Sequence, residues 1–289
     1  MRKMTLALLA ILLFNNPSRA ESPKVYQGFD KNEYPGDGIL PALRKSFWYA
    51  SFWLNNPPGA KQNSWIGKRA ILKHQGFGFL VLFNGRVDAE LKNSDPAKLG
   101  TLDGKASVTA AAREGFKENV LIFLDQEEGG RLLPEQAAYV FAWADAVRLG
   151  GDRAGIYCSG IETPDGSSVI STAQDIVAKE QLRASASSSK GASGDRAPKL
   201  ALWVANDQCP PSPGCAVNTR PPSVGFPSPT SGRPLVWQFA QSPRRAQFSS
   251  SCPKNHAADG NCYAPGLPHS AATFLDLNVS DSPDPSTAP

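Results

Sequence analysis

Two acids spaced two apart, Asp125 and Glu127, end an apolar run that reads Val120-Leu-Ile-Phe-Leu-Asp-Gln-Glu-Glu-Gly-Gly130. Side chains alternate along an extended chain, so Leu121, Phe123, Asp125 and Glu127 share one face while Ile122, Leu124 and Gln126 take the other. If that first face looks into a hollow, both carboxyl groups project into its mouth. Gly129 and Gly130 then let the backbone turn away without crowding a ligand. Two more acids fall at comparable places, Asp30 in Gln27-Gly-Phe-Asp30 and Asp276 in Phe274-Leu-Asp-Leu-Asn278. Carboxylates clustered in a partly dry cleft cannot all ionise freely, so at least one keeps a proton that it can donate. Cleavage of a glycosidic bond needs that division of labour, with one acid protonating the leaving oxygen and another carboxylate stabilising the cationic sugar or activating water. For any one of Asp30, Asp276 or Glu128 alone, a helix cap or an ion pair is an equally good reading. Glu128 is expected to face solvent.

Sugar rings stack their apolar faces on aromatics, and Trp203, Trp237 and Tyr157 lie near the ends of candidate strands. Core packing is the competing role for each. Asn84, Gln238 and Asn278, and Asn206 beside them, offer hydrogen bonds to hydroxyl or acetamido groups, or to nearby backbone. Other chemistries find less footing. Ser159 has no G-x-S-x-G around it, no histidine falls near a candidate strand end, and there is no C-x-x-C. His74, His256 and His269 are scattered, so no metal and no cofactor are expected; a metal-dependent phosphodiesterase or deacetylase using the acids as ligands is the remaining hydrolase alternative.

The elements that must position these groups recur along the chain as short apolar runs. They span Val25 to Asp30, Phe47 to Leu54, Phe77 to Phe83, Val120 to Glu127, Ala154 to Cys158, Leu200 to Asn206, Leu235 to Phe239 and Phe274 to Val279. Helix-period segments intervene at Ile39 to Lys45, Trp65 to Gln75, Lys105 to Glu114, Pro134 to Leu149 and Ala173 to Arg183. Alternation of this kind predicts an α/β fold, a (β/α)8 TIM-like barrel that becomes irregular in its second half. The barrel is assigned to residues 21–279. Function in such a fold lives at the C-terminal ends of the strands, where the acids fall.

Residues 1–20 read as a cleavable export signal. Arg2 and Lys3 precede an apolar run from Leu6 to Phe14 that is too short to span a bilayer, and Ser18 and Ala20 suit a signal peptidase. An uncleaved anchor is the alternative. Arg2, Lys3 and Arg19 are three of the 30 basic residues, so a mature chain nearly balances its 26 acidic ones. No dense Lys/Arg stripe marks a nucleic-acid surface. A secreted or periplasmic monomer without membrane insertion is expected. In an oxidising compartment the short loops around Cys209 and Cys215, and around Cys252 and Cys262, suit two disulfides, leaving Cys158 as a buried, inert thiol. Ala184 to Lys190 reads as a mobile low-complexity stretch, and 280–289 as a disordered tail.

In their order, Gly28-Phe-Asp30, Leu124-Asp-Gln-Glu127, Gly155-Ile-Tyr157, Leu202-Trp-Val-Ala205, Trp237-Gln238 and Asp276-Leu-Asn278 resemble the family 25 glycoside hydrolases, lysozyme-like muramidases. Trp65 to Gly85, Gly100 to Gly115 and Tyr157-Cys-Ser-Gly160 are still more similar to a bacterial glycoside-hydrolase-like domain of unknown function related to that family. The resemblance runs from about Tyr26 to Val279. It implies a glycan cleft with Glu127 as general acid and Asp30, Asp125 and Asp276 as supporting carboxylates. The ligand it implies is a polysaccharide such as peptidoglycan. One departure stands out: the muramidases carry an aromatic-His-aromatic run on the third strand, where this chain has Val81-Leu-Phe-Asn84. Two functions are therefore expected to compete, an exported glycosidase and a non-catalytic glycan-binding barrel of the cell envelope.

Overall fold

The computed structural model describes residues 25–188, 199–206, 235–242, 266–268 and 273–287. In chain order the elements are β1 (Tyr26–Asp30), a 3-10 turn (Asp37–Ile39) running into α1 (Leu40–Leu43), β2 (Tyr49–Trp53), α2 (Arg69–His74), β3 (Gly78–Asn84), α3 (Asp88–Leu91), α4 (Pro96–Arg113), β4 (Leu121–Gln126) and α5 (Pro134–Leu149). There follow β5 (Arg153–Ser159), the short strands β6 (Thr163–Asp165) and β7 (Ser168–Ile170), α6 (Thr172–Ser188), β8 (Ala201–Ala205), β9 (Val236–Ser242) and β10 (Leu275–Ser280).

Eight strands close into a barrel in the order β1-β10-β9-β8-β5-β4-β3-β2, while β6 and β7 form a separate hairpin. The expected eight-stranded α/β barrel is what the chain builds, with fewer helices among the described residues than a regular (β/α)8 fold has. One strand departs from the parallel pattern: β10 runs antiparallel to both β1 and β9. Strands β2 and β4 are buried along their whole length. A strand covered on one side by the barrel interior and on the other by helices must be apolar on both faces, which is why these segments read as nearly continuous runs.

The helical shell is densest around β4. Pro96 opens α4 and the Asp95 side chain caps it by accepting from the Lys98 amide at 3.0 Å. The helix therefore starts well before the expected Lys105. It packs on α5 through Gly100 and Gly104, where an added Cβ would lie 2.3 Å from the Tyr139 carbonyl and 2.6 Å from the Trp143 carbonyl. Only glycine allows two helix backbones to approach so closely. Pro134 opens α5, whose buried face carries Tyr139, Val140, Trp143, Ala144 and Val147.

Two expectations need correction. Helix α6 continues to Ser188, through most of the serine- and alanine-rich stretch read as mobile. Residues 281–287 are not a loose tail but a plug across the end of the barrel opposite the carboxylates. The Ser286 amide donates to the Phe79 carbonyl, its own carbonyl accepts from the Leu121 amide at 2.8 Å, and its hydroxyl accepts from the Val81 amide at 2.9 Å. Asp284 accepts from the Phe79 amide at 2.9 Å. Backbone pairing of this kind is indifferent to the polar composition that suggested disorder. Deleting residues 284–289 leaves at least three strand amides without partners, each costing about 1–3 kcal/mol. The deletion should therefore lower the urea midpoint strongly without a fall in helical circular dichroism; an unchanged midpoint would show the plug to be idle.

Cys209, Cys215, Cys252 and Cys262, with the proposed disulfides, lie outside the described residues, as does the export signal. Cys158 is free and buried, and burial pushes its thiol up to about 12. No described helix is long and apolar enough to cross a membrane.

Candidate active site

Strand parity delivers the acids as the alternation predicts. Register places Asn84, Asp125, Tyr157 and Trp203 side by side on β3, β4, β5 and β8. The Phe123 ring meets Trp203 edge-on at 5.7 Å between centroids, so the Phe123–Asp125 face looks into the barrel. Glu127 stands just past the end of β4 on the same parity and is exposed at the rim.

Asp276 reaches the same rim by a different route from the one its sequence suggested. It lies at the start of β10 rather than at a strand's C-terminal end, but β10 runs backwards, and its register partner is Asp30 at the end of β1. Directly opposed residues of an antiparallel pair share a face and sit about 5 Å apart at Cβ. The two acids are thus neighbours.

The two buried carboxylates feel their neighbours: Asp30 the charges of Asp276 and Glu127, and Asp125 those of Glu127 and Asp30. Asp30 is 8% exposed, and burial, then the Asp276 charge, lift it well above the usual carboxylate range; amide donors from Asn278 and Gln238 oppose the rise, and the Glu127 charge adds to it. Asp125 is 3% exposed and is also held well above that range, first by burial and then by Glu127 and Asp30. The two differ in their partners. Asp30 accepts from Gln238 Nε2 at 3.0 Å and from Asn278 Nδ2 at 2.6 Å. Neither oxygen of Asp125 has a donor among the described residues. A buried carboxyl with no donor holds its proton more readily than one with two amides pointing at it. The half-buried Tyr157 stands among them: burial raises its hydroxyl, followed by the charges of Asp30, Glu127, Asp125 and Asp276 in that order.

A β-bulge aims the amides. On β10 Leu277 pairs with Ala240 of β9, yet the next residue, Asn278, pairs with Gln238, so Phe239 is the extra residue. That one-residue slip sets Asn278 and Gln238 opposite each other on the face that carries Asp30. Below them, Gly28 leaves room for the Tyr49 ring, which an added Cβ would meet at 2.0 Å.

The remaining sequence candidates divide by exposure. Trp203 is 1% and Trp237 2% exposed, and both indole N–H groups are used, donating to Asn278 Oδ1 at 2.8 Å and to the Asn206 carbonyl at 3.0 Å. Both rings are buried, with no face open to a sugar. Tyr157 donates its hydroxyl to Gln238 Oε1 at 3.0 Å. Asn84 donates to the Asn56 carbonyl at 2.9 Å, tying the end of β3 to the loop after β2. With Pro58, Gly85, Arg86, Asp125 and Glu127 it lines a cleft of about 230 Å³ at the rim. Glu128 is not solvated as expected: it accepts from the Asp88 amide at 2.9 Å and from the Gln136 side chain, fixing α3 against α5. Among the described residues, no three His, Cys, Asp or Glu side chains are grouped to hold a metal ion.

Sequence reasoning missed a latch beside the site. Arg131 pairs with Asp165 of the β6–β7 hairpin and with the buried Asp175 of α6, which also accepts from the Leu132 amide and from Lys179. It secures the loop that follows Glu127. No pattern in the sequence joins these distant residues.

No family model matches this chain, and no curated protein matches it. Solved structures do. An uncharacterised protein of B. stearothermophilus is 17% identical, with 88% of this chain and 94% of that one covered at a TM-score of 0.51. The spore cortex lytic enzyme SleM of Clostridium perfringens is 15% identical, covering 91% of this chain and 69% of its own at a TM-score of 0.50. What is shared is the barrel. At such identity the likeness concerns the fold, and the case for chemistry rests on the carboxylates.

Proposed function

We propose that this chain is an exported glycoside hydrolase acting on peptidoglycan or a related amino-sugar polymer. The observation that carries the reading is a buried carboxyl without hydrogen-bond donors among the described residues, Asp125, one residue removed from the exposed Glu127 at a barrel mouth that also holds Asp30 and Asp276. The sequence resemblance to family 25 muramidases supports this substrate class, and the barrel shared with the spore cortex lytic enzyme SleM is the fold that the reading requires.

In this reading the proton held at rest by Asp125 passes through Glu127, the acid exposed at the rim, to the glycosidic oxygen as the C–O bond breaks. The leaving sugar departs as an alcohol. Positive charge developing on the other sugar is stabilised by the anionic members of the cluster, and water adds there while its proton returns to a carboxylate, restoring the starting state. Burial of Asp30 and Asp125 strengthens their charge interactions relative to water.

The test is to incubate the purified chain beginning at Glu21 with peptidoglycan and with chitin fragments and to count new reducing ends. Release of reducing ends supports the proposal. Tight binding without any release would replace it with the glycan-binding reading.

A further inference from the structure

The groups around Asp30 form a closed ring of contacts. Trp203 Nε1 donates to Asn278 Oδ1, Asn278 Nδ2 donates to Asp30, Gln238 Nε2 donates to Asp30, and the Tyr157 hydroxyl donates to Gln238 Oε1. The Tyr157 and Trp203 rings close it edge-on at 4.8 Å. Among the described residues, the charged or titratable groups facing Asp30 are Asp276 on β10, Glu127 and Asp125 at the end of β4, Tyr157 on β5 and Tyr49 on β2.

The two amides in this ring are not equally constrained. A tyrosine hydroxyl both donates and accepts, so it tolerates either orientation of Gln238. An indole N–H only donates. Opposite Trp203, therefore, Asn278 must present its carbonyl, and its NH2 is then forced toward Asp30. The flipped amide would lose the Trp203 bond and aim a second acceptor at a buried carboxylate.

We propose that Trp203 is a positioning residue that locks the Asn278 amide with its NH2 toward Asp30 and so directs the proton of the carboxylate cluster to Asp125 instead. Its significance for catalysis rests on the hydrolase reading; the charge arrangement does not. Trp203 touches no reacting atom and acts through one intervening side chain. Its burial, which removes it as a sugar platform, is what the role requires.

The experiment follows Asp30 by carbon-detected NMR of its carboxyl group across pH in the full mature chain. Trp203→Phe keeps a ring in the core but removes the donor, and the Asp30 midpoint should rise by about one pH unit, the scale of one hydrogen bond to a charged group. Asn278→Leu should raise it similarly, and the double variant should add little to either single change. A folded Trp203→Phe protein with an unmoved Asp30 midpoint overturns the proposal. A measurement on the unmodified protein decides the matter even if that variant does not fold: the Asn278 side-chain NH2 and Trp203 indole resonances should shift with the Asp30 midpoint. Resonances blind to Asp30 would overturn it equally. Absence of glycan cleavage, with these titrations as expected, would defeat the hydrolase reading alone.

Discussion

Glu127→Gln is expected to slow glycan cleavage by about a thousandfold, within the range for loss of a general acid. Gln keeps the size and hydrogen-bonding reach of the side chain but carries no proton that can pass to a leaving oxygen. Because Glu127 is exposed at the rim, the change creates no cavity and no buried orphan, so stability near pH 4 should be nearly unaltered, while at neutral pH it should rise as Asp125 is relieved of the neighbouring charge. The loss should fall on kcat with KM little changed, the mark of an interaction made in the transition state only. Reducing-end release together with glycan binding by calorimetry measures both halves. A variant as active as the parent would remove Glu127 from the chemistry.

Asp125→Asn is expected to act in two opposite directions, lowering cleavage by about a hundredfold while stabilising the fold at neutral pH. The sign follows from linkage. The carboxyl is raised above its unfolded value of 3.8, so between that value and the raised one the native state holds the proton more tightly than the unfolded state. Stability therefore falls as pH climbs through this window, by about 1.4 kcal/mol for each pH unit spanned. Asparagine does not titrate and escapes the fall. Urea unfolding near pH 4 and again near neutrality should show the variant's advantage appearing only at the higher pH. An advantage that does not grow with pH would mean that Asp125 ionises without penalty where it sits. Such an exchange of stability for activity is expected where a buried acid is kept for function.

Much of this arrangement was legible because it rests on local periodicity. Alternation over Leu121 to Glu127 specifies which side chains face together whatever the rest of the chain does, and the eight apolar runs are strands. Asp276 was placed correctly for an incomplete reason. Its apolar flanks marked a strand, but direction is a property of pairing, and only the antiparallel course of β10 brings the start of that strand to the rim.

What escaped the sequence depends on register and on contacts between distant residues. The slip at Asn278 that turns two amides onto Asp30 leaves no local trace. Without it Gln238 and Asn278 look like ligands for sugar hydroxyls, and in the barrel they are partners of Asp30. Trp203 and Trp237 were attractive as stacking platforms because aromatics at strand ends often serve so, yet in a barrel this full their rings complete the core. Glu128 differs from Glu127 only in parity, and that alone sends it into the shell to hold helix ends.

The claim beneath all of this is that the carboxylates share one hollow tightly enough to hold a proton there. It is tested most directly by titrating the Asp125 carboxyl by NMR in the parent chain and in Glu127→Gln. A midpoint well above the ordinary aspartate range is expected in the parent, falling toward that range once the neighbouring charge is gone. An ordinary midpoint that ignores Glu127 would contradict it.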